Sequence, residues 1–161
     1  MGEGSTFRFK VPLTVPEKKD NLEKEAQAES QMKSRMEDLR GKRVLVAEDN
    51  NINQIIMEEL LKPVGIEVTF ADNGIQALEM LSKYEFDIIL MDVQMPEMDG
   101  LAATAQIRTE PRYANLPILA MTANARAEHI EESISAGMNA HLTKPVDTEQ
   151  LYNALIKWTV K

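Results

Sequence analysis

Five short apolar runs, RVLVAED, IEVTFAD, FDIILMD, LPILAMTA and AHLTKP, recur between Arg43 and Pro145. Each ends on a polar or charged residue. Runs of this length, bounded by turn residues, suit strands buried on both faces. Helical stretches separate them. NINQIIMEELLK brings Ile52, Ile55, Ile56, Leu60 and Leu61 near one face, and NGIQALEMLSKY does the same with Ile75, Leu78 and Leu81. DGLAATAQIRT starts at Asp99, a good N-cap, and buries Leu101 and Ile107. ARAEHIEESISAG stops at Gly137, a left-handed C-cap, and DTEQLYNALIKW opens on Asp147 as N-cap with Glu149 in its first turn. Strand and helix thus alternate five times in about 120 residues. Such units are joined by right-handed crossovers, which dictates an α/β fold: a five-stranded parallel sheet with helices on both faces.

The remainder of the chain is different in character. Residues 1–12 contain one alternating apolar run, Phe7, Phe9 and Val11, that reads as a strand. Residues 13–41 are rich in charged helix formers and read as a linker, helical or disordered, with Gly41 as the boundary of a domain covering 42–161. The 161 residues carry a net charge of −8. The charge is uneven: residues 1–43 sum to about +2 and residues 44–161 to about −10. The folded part therefore repels nucleic acid. No apolar run approaches the roughly 20 residues of a membrane helix, so no membrane contact is expected of this fragment. The absence of cysteine excludes disulfides and fits a cytoplasmic location.

In a parallel sheet of this kind, ligands bind outside the carboxyl ends of the strands. Those ends carry Glu48 and Asp49 after the first strand, Asp92 after the third, Thr122 after the fourth and Lys144, followed by Pro145, after the fifth. Three carboxylates held together repel one another, and a hard divalent cation such as Mg²⁺ relieves that. A lysine and a hydroxyl opposite supply donors for phosphate oxygens. The combination fits phosphoryl transfer to a carboxylate nucleophile, with Asp92 as the acceptor because it is central and the MPEMDG turn follows it.

The pattern VLVAEDN, MDVQMPEMDG, MTA and KP resembles the receiver domain of two-component response regulators, over about three quarters of the chain. The resemblance implies a flavodoxin-like sheet in the order 2-1-3-4-5. It implies Mg²⁺ held by Asp49, Asp92 and the backbone carbonyl of Gln94, with Glu48 acting directly or through water. Asp92 becomes the aspartyl phosphate, Thr122 and Lys144 hold the phosphoryl group, and the Lys144–Pro145 bond is cis. Thr122 also acts as a switch with the residue three positions before Lys144. That residue is usually Tyr or Phe and here is His141. Two readings of His141 stand: a partly buried side chain filling an aromatic slot, or a rotamer switch that depends on protonation. The opening GEGSTFRFKVPL resembles the final strand of a histidine kinase ATP-binding domain, which implies a hybrid sensor kinase cut just before the end of its catalytic domain. The partners so implied are the phosphohistidine of a sensor kinase and a histidine phosphotransfer domain, docking on Ile52, Asn53, Ile55, Ile56 and Pro145. The rival readings are a phosphorylation-silent interaction module and an aspartate-nucleophile phosphatase. The latter expects a second aspartate two residues after the first, where Gln94 stands.

Overall fold

The computed structural model describes residues 34–123 and 126–160. Each apolar run forms a strand: β1 Arg43–Ala47, β2 Glu67–Ala71, β3 Ile88–Asp92, β4 Ile118–Thr122 and β5 Ala140–Thr143. All pairings are parallel and the order is β2-β1-β3-β4-β5. Parallel neighbours cannot be joined by a hairpin, so each connection is a crossover. The helices are α1 Asn51–Leu61, α2 Gly74–Lys83, α3 Gly100–Arg108, α4 Ala127–Ser135 and α5 Thr148–Thr159. Short 3-10 turns, Lys62–Val64 and Pro111–Tyr113, follow α1 and α3.

The expectation of strands buried on both faces holds for β1, β3 and β4. In β3 all five residues are buried. The flanking strands β2 and β5 are partly exposed, because among the described residues each has a neighbour on one side alone. Side chains alternate across the sheet. Leu45, Ala47, Ile89, Met91, Ile118 and Ala120 form one core with Ala77 and Leu81 of α2 and Ala103 and Ile107 of α3. The intervening Val44, Val46, Ile88, Leu90 and Leu119 are equally buried.

The helix ends follow local chemistry. The Asp99 carboxylate accepts from Ala102 N–H at 2.7 Å, and Asp147 accepts from Gln150 N–H at 2.9 Å. Asn50 and Asn73 cap α1 and α2 in the same way. Each such cap contributes about 1 kcal/mol. Gly137, at φ +103°, ends α4, with Gly137 N–H on Ile134 O and Met138 N–H on Ser133 O. The Arg108 guanidinium ties two further segments, the loop before β5 and the turn after α3: it donates to Gly137 O, Tyr113 O and Asn139 Oδ1 at 2.9, 2.7 and 3.0 Å. Burial without a carboxylate partner in that set lowers its pKa.

Three sequence expectations need correction. In α1 the buried residues are Met57 and Leu61, whereas Ile52, Ile55 and Ile56 are 68, 58 and 48% exposed. None of the three isoleucines serves the core. The inward face of α1 instead carries Asn53 and Gln54, which are held by hydrogen bonds described below. In α2, Ile75 is likewise exposed and Ala77 and Leu81 are the buried positions. Packing also extends upstream of Gly41. Residues 34–37 are helical, Leu39 is fully buried, and Gly41 N–H donates to Gly65 O at 2.8 Å. The compact unit starts at Ser34. The strand expected at Phe7–Val11 and most of the expected linker lie outside the described residues.

Leu39→Ala is therefore expected to lower stability by roughly 3 kcal/mol, the cost of emptying a closed apolar site. Urea denaturation measures it, and a loss under about 0.5 kcal/mol would show that residue 39 belongs to a solvated linker.

Candidate active site

The sheet register assembles the carboxyl-end residues. Ala47 pairs with Met91, so Glu48 follows β1 beside Asp92, the last residue of β3. Asp92 pairs with Met121, so Thr122 closes the adjoining β4. Thr122 pairs with Thr143, and Lys144 N–H donates to Thr122 O at 2.8 Å. From there the Lys144 side chain crosses the end of β4. Its Nζ lies 2.6 Å from Asp92 Oδ2 and 2.5 Å from Glu48 Oε2. The Lys144–Pro145 bond is cis, as the resemblance implied.

The loop after β3 is folded back tightly. Gly100 N–H donates to Val93 O at 3.0 Å, and a Cβ built on Gly100 would lie 2.1 Å from the carbonyl oxygen of Asp92. No side chain fits there, so glycine is what lets α3 begin against the backbone of Asp92. The same loop holds Glu97 at φ +64°, an uncommon state for a residue with a Cβ. Gln94 N–H donates to Asp92 Oδ1 at 3.1 Å, so each carboxylate oxygen of Asp92 has its own donor.

Glu48 is held more closely still. It is 1% exposed. Its Oε1 accepts from Asn53 Nδ2 at 2.8 Å and from Asn50 N–H at 3.3 Å. Gln54 Nε2 donates to Glu48 O at 2.6 Å and to Asp72 Oδ1 at 2.8 Å, tying the ends of β1 and β2 to the first turn of α1. Asn50, Asn53 and Gln54 were not expected in these roles. The available signal was the polar run EDNNINQ at a strand end, which is also a helix-start signature.

Ligand atoms of Glu48, Asp49 and Asp92 lie within 4.8 Å of one another. An octahedral shell with oxygens about 2.1 Å from the ion places trans oxygens about 4.2 Å apart, so a contraction of less than about 1 Å completes the set. The donors are all hard oxygens. One ammonium against three carboxylates leaves negative charge for a cation to neutralise. The residues present thus fit a small divalent cation. Asp49 is the exposed member and offers the way in from solvent.

Burial raises the Asp92 pKa, and the opposing pull of Lys144 and of Gln94 N–H does not cancel it. Burial alone would lower the Lys144 pKa; hydrogen bonds and charge from Asp92 and Glu48 outweigh it and hold the ammonium above the usual lysine value. The two directions are compatible, because the lysine has two carboxylates while Asp92 shares its ammonium with Glu48. Lys144 therefore contributes stability at neutral pH that is lost as pH rises through its raised pKa. Ionised Asp92 opposes folding, and that opposition is relieved as pH falls through its own raised pKa.

Other expected residues fall apart from this cluster or around its edge. Ile52, Ile55, Ile56 and Pro145 are exposed. Gln94 is exposed, at the start of the loop after Asp92. His141 lies in β5 opposite Ala120 and is exposed, which corrects the reading of a partly buried side chain in an aromatic slot. Among the described residues, no element covers the outer flank of this terminal strand.

Residues 44–156 match the family model of the response regulator receiver domain. The chain is similar to sensor protein GacS of Pseudomonas syringae pv. syringae, 41% identical over 123 residues, which cover 74% of this chain and 14% of that protein. The chain thus spans about a seventh of that relative's length. Among solved structures it resembles the receiver domain of sensor histidine kinase PA1611 from Pseudomonas aeruginosa PAO1, which has a magnesium ion coordinated in the active site cleft. That match has 38% identity and a TM-score of 0.71, and covers 75% of this chain and 99% of the other. The co-crystal structure of the Saccharomyces cerevisiae histidine phosphotransfer protein Ypd1 with the receiver domain of Ssk1 matches at 29% identity and a TM-score of 0.70, covering 75% of this chain and 90% of the other.

Lys144→Met would leave Glu48 and Asp92 buried without their cation. The expected loss in cation-free buffer is about 3 kcal/mol at pH 7, shrinking at pH 5 as Asp92, whose pKa burial raises, takes up a proton. Urea denaturation at both pH values measures it, and an equal loss at each would contradict the ion-pair account.

Proposed function

The chain belongs to the response regulator receiver domain family, and on that footing we propose that Asp92 accepts a phosphoryl group from a phosphohistidine. The observation that carries this reading is the Lys144 ammonium lying on both Asp92 and Glu48 within an acidic cluster that includes Asp49. An ionised oxygen of Asp92 forms a bond to phosphorus while the phosphorus–nitrogen bond breaks, its electron pair returning to the imidazole. The product is an acyl phosphate. Lys144 and the Thr122 hydroxyl hold the oxygens of the transferred group. Asp49, Asp92 and the Gln94 carbonyl, with Glu48 direct or through water, would hold Mg²⁺, which would supply charge neutralisation for those oxygens. The magnesium in the PA1611 receiver supports that choice of ion. Thr122 and the exposed His141 form the pair that reports phosphorylation.

The Ypd1–Ssk1 complex supports a histidine phosphotransfer domain as the recipient. The docking surface is the outer face of α1, where Ile52, Ile55 and Ile56 stand in solvent, together with Pro145. Adjacent exposed isoleucines on a helix whose core face lies elsewhere are the mark of a contact surface. Asn53, expected on this surface, has its amide on Glu48 instead. The similarity to GacS supports a parent protein of the hybrid sensor kinase kind; residues 1–12 are read as the end of its catalytic domain from the run GEGSTFRFKVPL alone.

Incubation with a small acyl-phosphate donor and Mg²⁺ is expected to add one base-labile phosphoryl group, detected by intact-mass spectrometry. Asp92→Asn should abolish the gain; a gain that survives this substitution excludes Asp92 as acceptor. Ile52→Asp is expected to slow transfer to a phosphotransfer domain at least about tenfold, by placing charge in an apolar contact. Its autophosphorylation by the small donor should not change. An unaltered transfer rate would move the docking surface off α1.

A further inference from the structure

Asn53 lies in the first turn of α1, immediately after the exposed Ile52, with its amide turned the other way. Its 2.8 Å hydrogen bond to Glu48 Oε1 is the better of two at that oxygen, the other being the 3.3 Å contact from Asn50 N–H. Lys144 takes the opposite oxygen. Because Glu48 is almost wholly enclosed, water is poorly placed to replace a lost donor. Gln54, bonded to Glu48 O and Asp72 Oδ1, anchors the turn on which Asn53 rides.

We infer that Asn53 is a positioning residue for the cation site: its amide fixes the Glu48 carboxylate and so sets the affinity of the acidic pocket for a divalent cation. The inference rests on reading Glu48, Asp49 and Asp92 as that site. A carboxylate pinned at both oxygens presents its free lone pairs in one direction. Without the amide, Glu48 turns its second oxygen toward Lys144, where an ammonium lies within reach, and that direction is lost. Asparagine suits the task because it is a neutral donor. A lysine here would neutralise the pocket, and an aspartate would repel Glu48. Outer donors that orient metal-binding carboxylates commonly change affinity by about 10- to 100-fold when removed.

The test is calorimetric titration of Mg²⁺ into the phosphate-free full chain. Asn53→Leu keeps the branched shape of the side chain, and Asn53→Ala removes the amide without adding apolar bulk; both are expected to weaken binding about tenfold or more. Combined with Glu48→Ala, which removes the acceptor, Asn53→Leu should change the remaining affinity by less than about twofold. Unchanged affinity in Asn53→Leu overturns the inference, as does a loss of the same size in the Glu48→Ala background. Wild-type protein that takes up no Mg²⁺ overturns the cation site itself, a result distinct from both. Circular dichroism melts in cation-free buffer establish that each variant is folded before titration.

Discussion

The ammonium of Lys144, shared between the carboxylates of Glu48 and Asp92, is the interaction on which the carboxyl edge of the sheet depends. The topology leaves little freedom here. With β1 beside β3, any acids that close those strands come together, and burial denies them water. Left alone, such carboxylates would bind protons and lose their charge. One lysine, arriving from beyond β4, keeps them usable. It does not neutralise them fully, since Asp49 stands beside the pair and burial still lifts the Asp92 pKa. A pocket of this kind is poised for further positive charge, and for an electrophile that Asp92 can attack.

The surrounding structure serves to hold that arrangement still. Gly100 permits α3 to close on the Asp92 backbone, and the Gln94 N–H fixes the oxygen that Lys144 does not take. On the other side, the N-cap and first turn of α1 are hydrogen-bonded to Glu48 through three donors, Asn50, Asn53 and Gln54. The outward face of that turn presents the isoleucines. One short helical segment thus serves both the ion cluster and the surface proposed for a partner. This explains why its inward positions are amides and not the apolar residues that a core-facing helix normally shows.

That exchange of roles also explains what the sequence concealed. Strand positions, the strand-end acids and the Asp99 and Asp147 caps were legible, because each rests on a local pattern: an apolar run, a closing polar residue, an Asp before a helix. The orientation of α1 was legible in part. Ile52, Ile55 and Ile56 were expected on a docking surface and do stand in solvent, but hydropathy grouped them with the buried Leu61, and Asn53, expected beside them, is turned inward with Gln54 by the hydrogen-bonding needs of Glu48 and Asp72. The burial of Leu39 was hidden by its charged neighbours, and the exposure of His141 follows from the sheet order, which places β5 at an edge. Both are matters of long-range packing. That Lys144, Glu48 and Asp92 share one edge of the sheet followed from fold topology; that the ammonium rests on both carboxylates, 96 and 52 residues away in the chain, is visible in the structure alone.

The receiver family supplies a chemistry that this geometry fits in detail: an enclosed carboxylate with a lysine on one oxygen, oxygen donors for a cation beside it, and a hydroxyl-bearing strand end next door. The most direct measurement of the central claim is a crystal structure grown with Mg²⁺ and beryllium fluoride, a mimic of an acyl-phosphate group. The account predicts the fluoride adduct on the Asp92 carboxylate, Lys144 Nζ moved from Glu48 onto a fluorine, and the cation between Asp49 and Asp92. An adduct on another residue, or a Lys144 that keeps its contact with Glu48 while the adduct stands unpaired, would contradict it.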